Sequence, residues 1–228
     1  ELKMNYPFIC VDNFYENPDE IVDYAKSLTY HPDPEGHWPG KRTPEIGTLN
    51  LPFFTWVGKK ILSCYFGPQA STINFGGSSA FQLINPIEKK AHRLFTDEPT
   101  SKGWIHTDSR TVLGVVIYLN KNQDNNNGTS LYRRKKLGVI PIHTDIKEKF
   151  YTNNATAEEH KKALKENNEQ YEETLKVSSV YNRLIAYDGS QIHGQNFSSS
   201  SEDRLTQVMF FQVLNAPVLL PERFRQTG

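Results

Sequence analysis

The periodicity of apolar and polar positions changes along this chain, and the C-terminal two-thirds has the pattern of β-strands. Runs rich in β-branched, aromatic and other apolar residues are separated by turn-forming stretches such as 122–128. Such runs bounded by turn residues favour strands over helices. We therefore predict a mainly β region from about residue 71 onward, with strands at 79–85, 111–119, 128–132, 182–187 and 204–214.

The first 70 residues have a helical pattern instead. A short β-rich run at 6–15 precedes Asn17 and Pro18, which suit the cap and the first turn of a helix. We predict a second helix over about 52–65 and an ordered loop over the proline-rich and glycine-rich residues 31–48. In the first helix, the apolar residues that repeat at helical spacing are Ile21, Tyr24, Ala25 and Leu28.

Residues 133–178 interrupt the strand pattern and are interpreted as an insert. Its polar stretch 157–175 has only a thin apolar stripe, which predicts a solvated helix resting on the sheet. We expect a single domain over 1–228, with a helical buttress at about 1–70 and a β core at about 71–220.

The segment around His106-Thr-Asp108 carries the first candidate chemistry. In an extended strand, residues two apart point to the same side, so His106 and Asp108 can bind one ion. His193, just after the apolar run 182–187, can supply a third ligand. Two histidines and one carboxylate on one face of an ion leave the opposite positions open, as Fe(II) oxygenases require.

A second triplet of the same kind, His143-Thr-Asp145, lies in the insert. It follows Pro141 and leads into charged, helix-forming sequence, which predicts that its side chains face solvent. The first triplet is followed by a strong strand, so we prefer it as the metal half-site.

Arg204 opens the last predicted strand, and Thr206 lies on the same face by alternation. A buried, unpaired arginine is costly, and a dicarboxylate would give this one a partner through two parallel hydrogen bonds. The alternative interpretation is an edge-strand arginine in a surface ion pair.

In order and spacing, these motifs over about 104–214 resemble the Fe(II)- and 2-oxoglutarate-dependent dioxygenases of the prolyl-hydroxylase type. The resemblance implies a double-stranded β-helix, a cupin-like jelly roll that is mainly β with flanking α-helices. It also implies iron bound by His106, Asp108 and His193, and 2-oxoglutarate bound by Arg204, with Thr206 and Tyr118 contributing. The residues that carry the resemblance are His106-x-Asp108, Ile117-Tyr118-Leu119-Asn120, Gly128-Thr129, Asn182-Arg183-Leu184, His193 and Arg204-x-Thr206.

The resemblance implies an oxidoreductase that uses Fe(II), 2-oxoglutarate and O2, with ascorbate as a candidate reductant. Asp108 stands where related halogenases have a small residue, so hydroxylation of the substrate is favoured. Phe210 stands where nucleic-acid demethylases of this superfamily have a second arginine, which argues against base repair. Two other classes remain open: a cupin-like isomerase or hydrolase, and a jelly-roll binding module without turnover.

Composition narrows the partners. Twenty-six basic residues balance 26 acidic ones, so no overall charge favours nucleic acid or an anionic membrane. We expect a small-molecule or peptide substrate, while the oligomeric state is not specified.

Cys10 and Cys64 lie among apolar neighbours and are interpreted as free core thiols, which predicts a soluble, cytoplasmic protein. Residues 37–42 (HWPGKR) form either a lip over the active site or a loop fixed by Trp38.

Overall fold

Helices gather near the N-terminus and in the insert. The computed structural model describes residues 6–84, 101–108, 110–122, 126–136, 144–197 and 203–216. A 3-10 helix covers Gly67–Thr72. The α-helices in these ranges are α1 (Pro18–Ser27), α2 (Ile46–Leu49), α3 (Leu51–Phe66), α4 (Thr144–Tyr151) and α5 (Ala157–Asn168).

The strands form two antiparallel sheets. In the described residues, one sheet has the order β1-β9-β6-β11-β4-β3-β2 and the other has the order β5-β10-β7-β8. The strands are β1 (Ile9–Val11), β2 (His31–Pro32), β3 (Lys41–Arg42), β4 (Asn74–Ile84), β5 (Ser101–Lys102), β6 (Leu113–Tyr118), β7 (Gly128–Arg134), β8 (Tyr171–Ser178), β9 (Leu184–Asp188), β10 (His193–Phe197) and β11 (Arg204–Asn215).

Strand β11 lies in the middle of the larger sheet, hydrogen-bonded to β4 on one side and to β6 on the other. Its residues alternate between two environments, as a pleated strand requires. Leu205, Met209 and Phe211 belong to the main hydrophobic core. Arg204 and Thr206 lie on the opposite face, which lines a cavity between the sheets.

Helix α3 packs against the core face of the larger sheet. The side chain of Asn50 accepts a hydrogen bond from the backbone N–H of Phe53 and caps the helix. The helix ends at Gly67, whose φ of 56° suits a residue without a Cβ. Val57 and Ile61 on its inner face are fully buried, so burial of apolar surface holds the helix on the sheet.

Most of the predicted elements are present, and the differences have local causes. Helix α1 begins at Pro18 as predicted, but the side chain of Asn17 makes no capping hydrogen bond. The predicted loop 31–48 contains the two short strands β2 and β3 and the helix α2. The helix predicted over 157–175 ends at Asn168, and β8 follows because its residues pair with β7.

The cysteine prediction was wrong in one respect. Cys10 and Cys64 are free thiols, as expected, but both are exposed and neither belongs to the core. Among the described residues, no helix combines the length and the apolar character that crossing a membrane would need.

Candidate active site

His106 and His193 meet across a two-residue bridge between the 103–108 segment and β10. Each backbone N–H donates to the carbonyl oxygen of the other, at 2.9 Å in both directions. Their ring centroids are 4.5 Å apart. Two histidines that are 87 positions apart in the sequence therefore present their side chains at one place.

Both imidazoles direct Nε2 towards that place, because Nδ1 of each ring is engaged by a backbone carbonyl. The Nδ1 atom of His106 lies 2.8 Å from the carbonyl oxygen of Trp104, and Nδ1 of His193 lies 2.8 Å from that of Gln191. A carbonyl only accepts, so Nδ1 carries the proton in each ring and donates. The lone pair is then on Nε2, the arrangement usual for metal-ligating histidines.

Asp108 completes the cluster. One carboxylate oxygen lies 3.6 Å from Nε2 of His106, and the other lies 3.5 Å from Nε2 of His193. The ligand atoms of the three residues all lie within 4.8 Å of one another. The Asp108 backbone is held in turn, because its N–H donates to the carbonyl oxygen of Gly189 at 3.0 Å. A Cβ on Gly189 would approach the Thr111 carbonyl oxygen to 1.9 Å, so only glycine lets the backbone at 189 lie this close to Thr111.

The protonation states of the cluster suit a cation. Burial lowers the pKa of His193 to about 4, with Asp108 opposing the shift, so the ring is neutral at pH 7. Burial opposes ionisation of Asp108, but His193, His106 and Arg42 outweigh it and hold its pKa at about 2. Asp108 Oδ2 is buried and has no hydrogen-bond partner in the part of the chain described. Two imidazole lone pairs and a carboxylate fit a divalent transition metal.

Arg204 and Thr206 lie in the same cavity of about 410 Å³ as the His–Asp–His cluster. Arg204 is 4% exposed and Thr206 is 1% exposed. The Nε atom of the arginine and the hydroxyl of the threonine are both buried, and neither has a hydrogen-bond partner among the described residues. Arg204 forms no ion pair with any described carboxylate. The surface salt bridge considered as the alternative is therefore not observed in the described ranges.

Tyr118 lies beside Arg204, on the neighbouring strand β6, where it pairs with Thr206. Its ring centroid is 5.6 Å from the guanidinium carbon of Arg204, and the side chain is fully buried. Its hydroxyl donates to the hydroxyl of Thr129 at 2.8 Å, and Thr129 itself lines the cavity. The predicted contact between Tyr118 and 2-oxoglutarate stays a prediction.

Residues of the loop at 37–42 line one part of the cavity, which we call its mouth, and the lip interpretation stays a prediction. His37, Trp38 and Arg42 line the cavity, and the guanidinium carbon of Arg42 lies 4.1 Å from the Trp38 ring centroid. Lys147 on α4 lines the other side of the mouth. Sequence reasoning missed Lys147, because nothing in the run Ile-Lys-Glu-Lys distinguishes one lysine from the next.

The insert does more than rest on the sheet. Asn168 at the end of α5 accepts a hydrogen bond from the backbone N–H of Ile105 at 3.1 Å and donates to the carbonyl oxygen of Gly103 at 3.0 Å. Asn167 donates to the carbonyl oxygen of Ile105 at 2.9 Å. Trp104 Nε1 donates to Nε2 of the buried His160 at 2.9 Å. These contacts position the segment that carries His106.

The competing triplet can be placed only in part. His143 lies outside the described residues, as do the side chains of Thr144 and Asp145, although helix α4 begins at Thr144. The prediction that this triplet faces solvent stays a prediction.

Solved structures share this fold at low sequence identity. HygX from Streptomyces hygroscopicus, with nickel and 2-oxoglutarate bound, is 10% identical with a TM-score of 0.52, over 90% of this chain and 82% of that one. The epimerase SnoN in complex with Fe3+, alpha ketoglutarate and nogalamycin RO is 11% identical with a TM-score of 0.53, over 90% and 78%. EvdO2 from Micromonospora carbonacea var. aurantiaca is 12% identical with a TM-score of 0.51, over 93% and 87%. The predicted double-stranded β-helix is confirmed.

A search of curated proteins found no match. One family model matches residues 2–211, which include both sheets up to Phe211 and every residue of the His–Asp–His cluster. The chain therefore belongs to the family described as a family of unknown function (DUF6445).

Proposed function

We propose that this protein is an Fe(II)- and 2-oxoglutarate-dependent dioxygenase that hydroxylates its substrate and releases succinate and CO2. The observation that carries the proposal is the pairing of two features in one cavity. A His–Asp–His cluster with its ligand atoms within 4.8 Å shares this cavity with a buried arginine that has no described carboxylate partner. An isomerase or hydrolase would need the metal cluster but not the arginine.

The chain's own residues would each have a defined part. His106, Asp108 and His193 hold the metal, with both Nδ1–H groups fixed by backbone carbonyls so that Nε2 faces the ion. Iron(II) bound there supplies the oxidative chemistry, in which O2 and 2-oxoglutarate give succinate, CO2 and one oxygen atom for the substrate.

Arg204 sets the direction of 2-oxoglutarate by pairing with the carboxylate far from the metal, and Thr206 donates a further hydrogen bond. The burial of both side chains raises the strength of that pairing, since an ion pair is stronger where water is excluded. The apolar Val208, on the same face of β11, limits water near the reacting centre.

The test is an anaerobic titration of the full chain with Fe(II) and 2-oxoglutarate. We expect a visible metal-to-ligand charge-transfer band that Asp108→Ala abolishes, while the exposed-site control His31→Ala keeps it. Metal binding without 2-oxoglutarate binding would favour the isomerase or hydrolase. Binding of both without succinate formation in air, across a panel of candidate substrates, would favour a binding module. A substrate converted without gain of an oxygen atom from O2 would contradict hydroxylation.

A further inference from the structure

The charges that line the cavity are unbalanced. Three cationic side chains, Arg42, Lys147 and Arg204, face it, and Asp108 is its only carboxylate among the described residues. On the proposed function, Fe(II) and the 2-oxoglutarate dianion compensate one another in formal charge. An excess of positive charge is then left within the cavity.

That excess lies at the mouth, away from Arg204. The Arg42 guanidinium carbon is 5.4 Å from the ring centroid of Phe210, which stands six residues beyond Arg204 on β11. The backbone of Arg42 is level with Thr206, because Arg42 pairs with Gln82 on β4 and Gln82 pairs with Thr206 on β11. Strand β4 separates β3 from β11, so the two backbones are roughly 10 Å apart. The Arg42 side chain thus enters the cavity from another strand and its guanidinium lies beside Phe210, whereas Arg204 stands six residues back along β11.

The mouth also contains donors without acceptors. The Nε atom of Arg42 and the Nε1 atom of Trp38 are buried, with no hydrogen-bond partner in the described ranges. Arg42 makes one hydrogen bond in these ranges, from Nη2 to Gln82 at 3.3 Å, and its ring contacts with Trp38 and Phe210 hold the guanidinium in place. A buried polar group without a partner is costly, so such groups commonly mark a place where a ligand binds.

Asp33 and Glu45 favour the charged form of Arg42 from a distance, but their own hydrogen bonds go to other groups. Asp33 accepts from the backbone N–H of His37 at 2.6 Å and lies 2.9 Å from its ring Nδ1. Glu45 accepts from the backbone N–H of Ser79 at 2.9 Å. No ion pair joins a described carboxylate to Arg42 or Lys147. Burial lowers the pKa of Arg42 to about 10, so the group stays charged at pH 7.

Both cations are placed by elements that contact one another. Gly36, in the loop before β3, lies so close to α4 that a Cβ on it would come within 2.4 Å of the carbonyl oxygen of Glu148. Glu148 is the neighbour of Lys147 on that helix. The loop and the insert helix thus meet at the mouth, with one cation on each.

We propose that the prime substrate of this site is a small oxyanion-bearing molecule, whose carboxylate or phosphate binds between Arg42 and Lys147 with Trp38 Nε1 as a further donor. This inference rests on the proposed function and extends it to the class of substrate. The cavity of about 410 Å³ is within the range of small-molecule sites and must also hold the co-substrate.

The probes are phenyl phosphate and phenylacetate as anions and benzyl alcohol as their neutral counterpart. Each is titrated by saturation-transfer NMR into the full chain loaded with Zn(II), which is redox-inert, and saturated with 2-oxoglutarate. We expect at least one anion to bind, with its Kd raised at least tenfold by Arg42→Gln and about fivefold by Lys147→Gln. The matched controls Lys41→Gln and Lys149→Gln replace exposed lysines on the same strand and helix, and should leave the Kd unchanged. The better of the two anions identifies the headgroup.

Three outcomes would overturn the inference: equal binding of the anions by all five proteins, no preference for the anions over benzyl alcohol, or displacement of the anion by 2-oxoglutarate. A loss of 2-oxoglutarate affinity in Arg42→Gln as large as that in an Arg204 variant would do so too, because Arg42 would then belong to the co-substrate site. Failure of 2-oxoglutarate to bind at all contradicts the proposed function instead, and the same anion titrations without it still test Arg42 and Lys147.

Discussion

The two sides of the cavity are held in place by different means. On the side of the larger sheet, Arg204 and Thr206 lie on a strand whose backbone is hydrogen-bonded on both edges. On the opposite side, the segment that carries His106 makes a few backbone hydrogen bonds, to β10 and to Gly189, and is held in addition by side chains of the insert. Asn168 holds its backbone, and His160 accepts from Trp104.

This difference predicts that ligand affinity and folding stability depend on different sides of the cavity. Backbone ladders fix the position of β11, so its cavity-facing side chains are free to serve a ligand and contribute little to folding. The insert's polar side chains serve the fold and the metal half-site together. Replacing a side chain on the sheet side should therefore change affinity alone, whereas replacing one on the insert side should change stability as well.

The largest effect is expected on the sheet side, for Arg204→Met. Losing the charge should weaken 2-oxoglutarate binding by about 3 kcal/mol, or roughly 100-fold, because the co-substrate's far carboxylate loses its buried partner. The free protein should be as stable as before or more so, since a buried guanidinium without a described carboxylate partner is replaced by an apolar side chain. Calorimetric titration with 2-oxoglutarate and thermal unfolding without it measure the two quantities.

Arg183→Met is the matched control. Arg183 pairs with Asp12 through Nε at 2.6 Å and Nη2 at 2.9 Å, outside the cavity. This variant should lose some stability and keep its affinity for 2-oxoglutarate. If Arg204→Met lowered the melting temperature and left 2-oxoglutarate binding intact, Arg204 would be a structural residue and the sheet side would not serve a ligand.

The next largest effect is expected on the insert side, where the free energy of unfolding should depend on pH through His160. Burial lowers the pKa of His160 from 6.5 to about 4, so the folded protein binds the proton more weakly than the unfolded chain does. The stabilising contribution of neutral His160 is complete above pH 6.5 and is lost as the pH falls towards 4. The expected loss is about 2 kcal/mol at pH 5, from the difference between 6.5 and 5.

Urea unfolding of the wild type and His160→Gln from pH 7.5 to pH 4.5 isolates this contribution. Glutamine can still accept from Trp104 Nε1 but does not titrate, so the variant should lose less stability as the pH falls. His31→Gln, at an exposed position, should follow the wild type. Parallel curves for wild type and His160→Gln would mean that the buried imidazole does not couple the insert to pH.

The same difference explains what the sequence could predict. Arg204 and Thr206 begin a strand with a strong apolar pattern, so alternation was enough to place them on one face. His193 follows the apolar run 182–187, and this position marked it as a candidate ligand. Asn168, His160 and Lys147 belong to a polar insert in which no periodicity distinguishes a contact from a solvated side chain. The predicted helix over 157–175 includes the first residues of β8, because Tyr171 and Leu175 fit a helical stripe and the residues between them are polar. The pairing of β8 with β7 overrides that local preference.

A smaller effect is expected for Asn168→Ala, which removes two hydrogen bonds to the backbone of residues 103 and 105. The loss leaves the Ile105 N–H without its acceptor and should cost about 1.5 kcal/mol of unfolding free energy. Metal affinity should fall about tenfold as well, because the half-site is less well positioned. Lys162→Ala, at an exposed position on the same helix, controls for the helix itself. Loss of stability with unchanged Ni(II) affinity would show that the insert supports the fold but not the metal half-site.

The smallest effect is expected for the loss of a single hydroxyl on the sheet side, that of Thr206. Thr206→Val keeps the shape of a side chain that is 1% exposed and removes a hydroxyl that has no hydrogen-bond partner within the described residues. The free protein should therefore be no less stable, while 2-oxoglutarate binding weakens by about 1 kcal/mol, or roughly fivefold. Thr206→Ser retains the hydroxyl and should keep most of the affinity. If valine and serine had equal effects on 2-oxoglutarate binding, packing at this position would matter and the hydroxyl would not. The co-substrate would then depend on Arg204 alone on this face of β11.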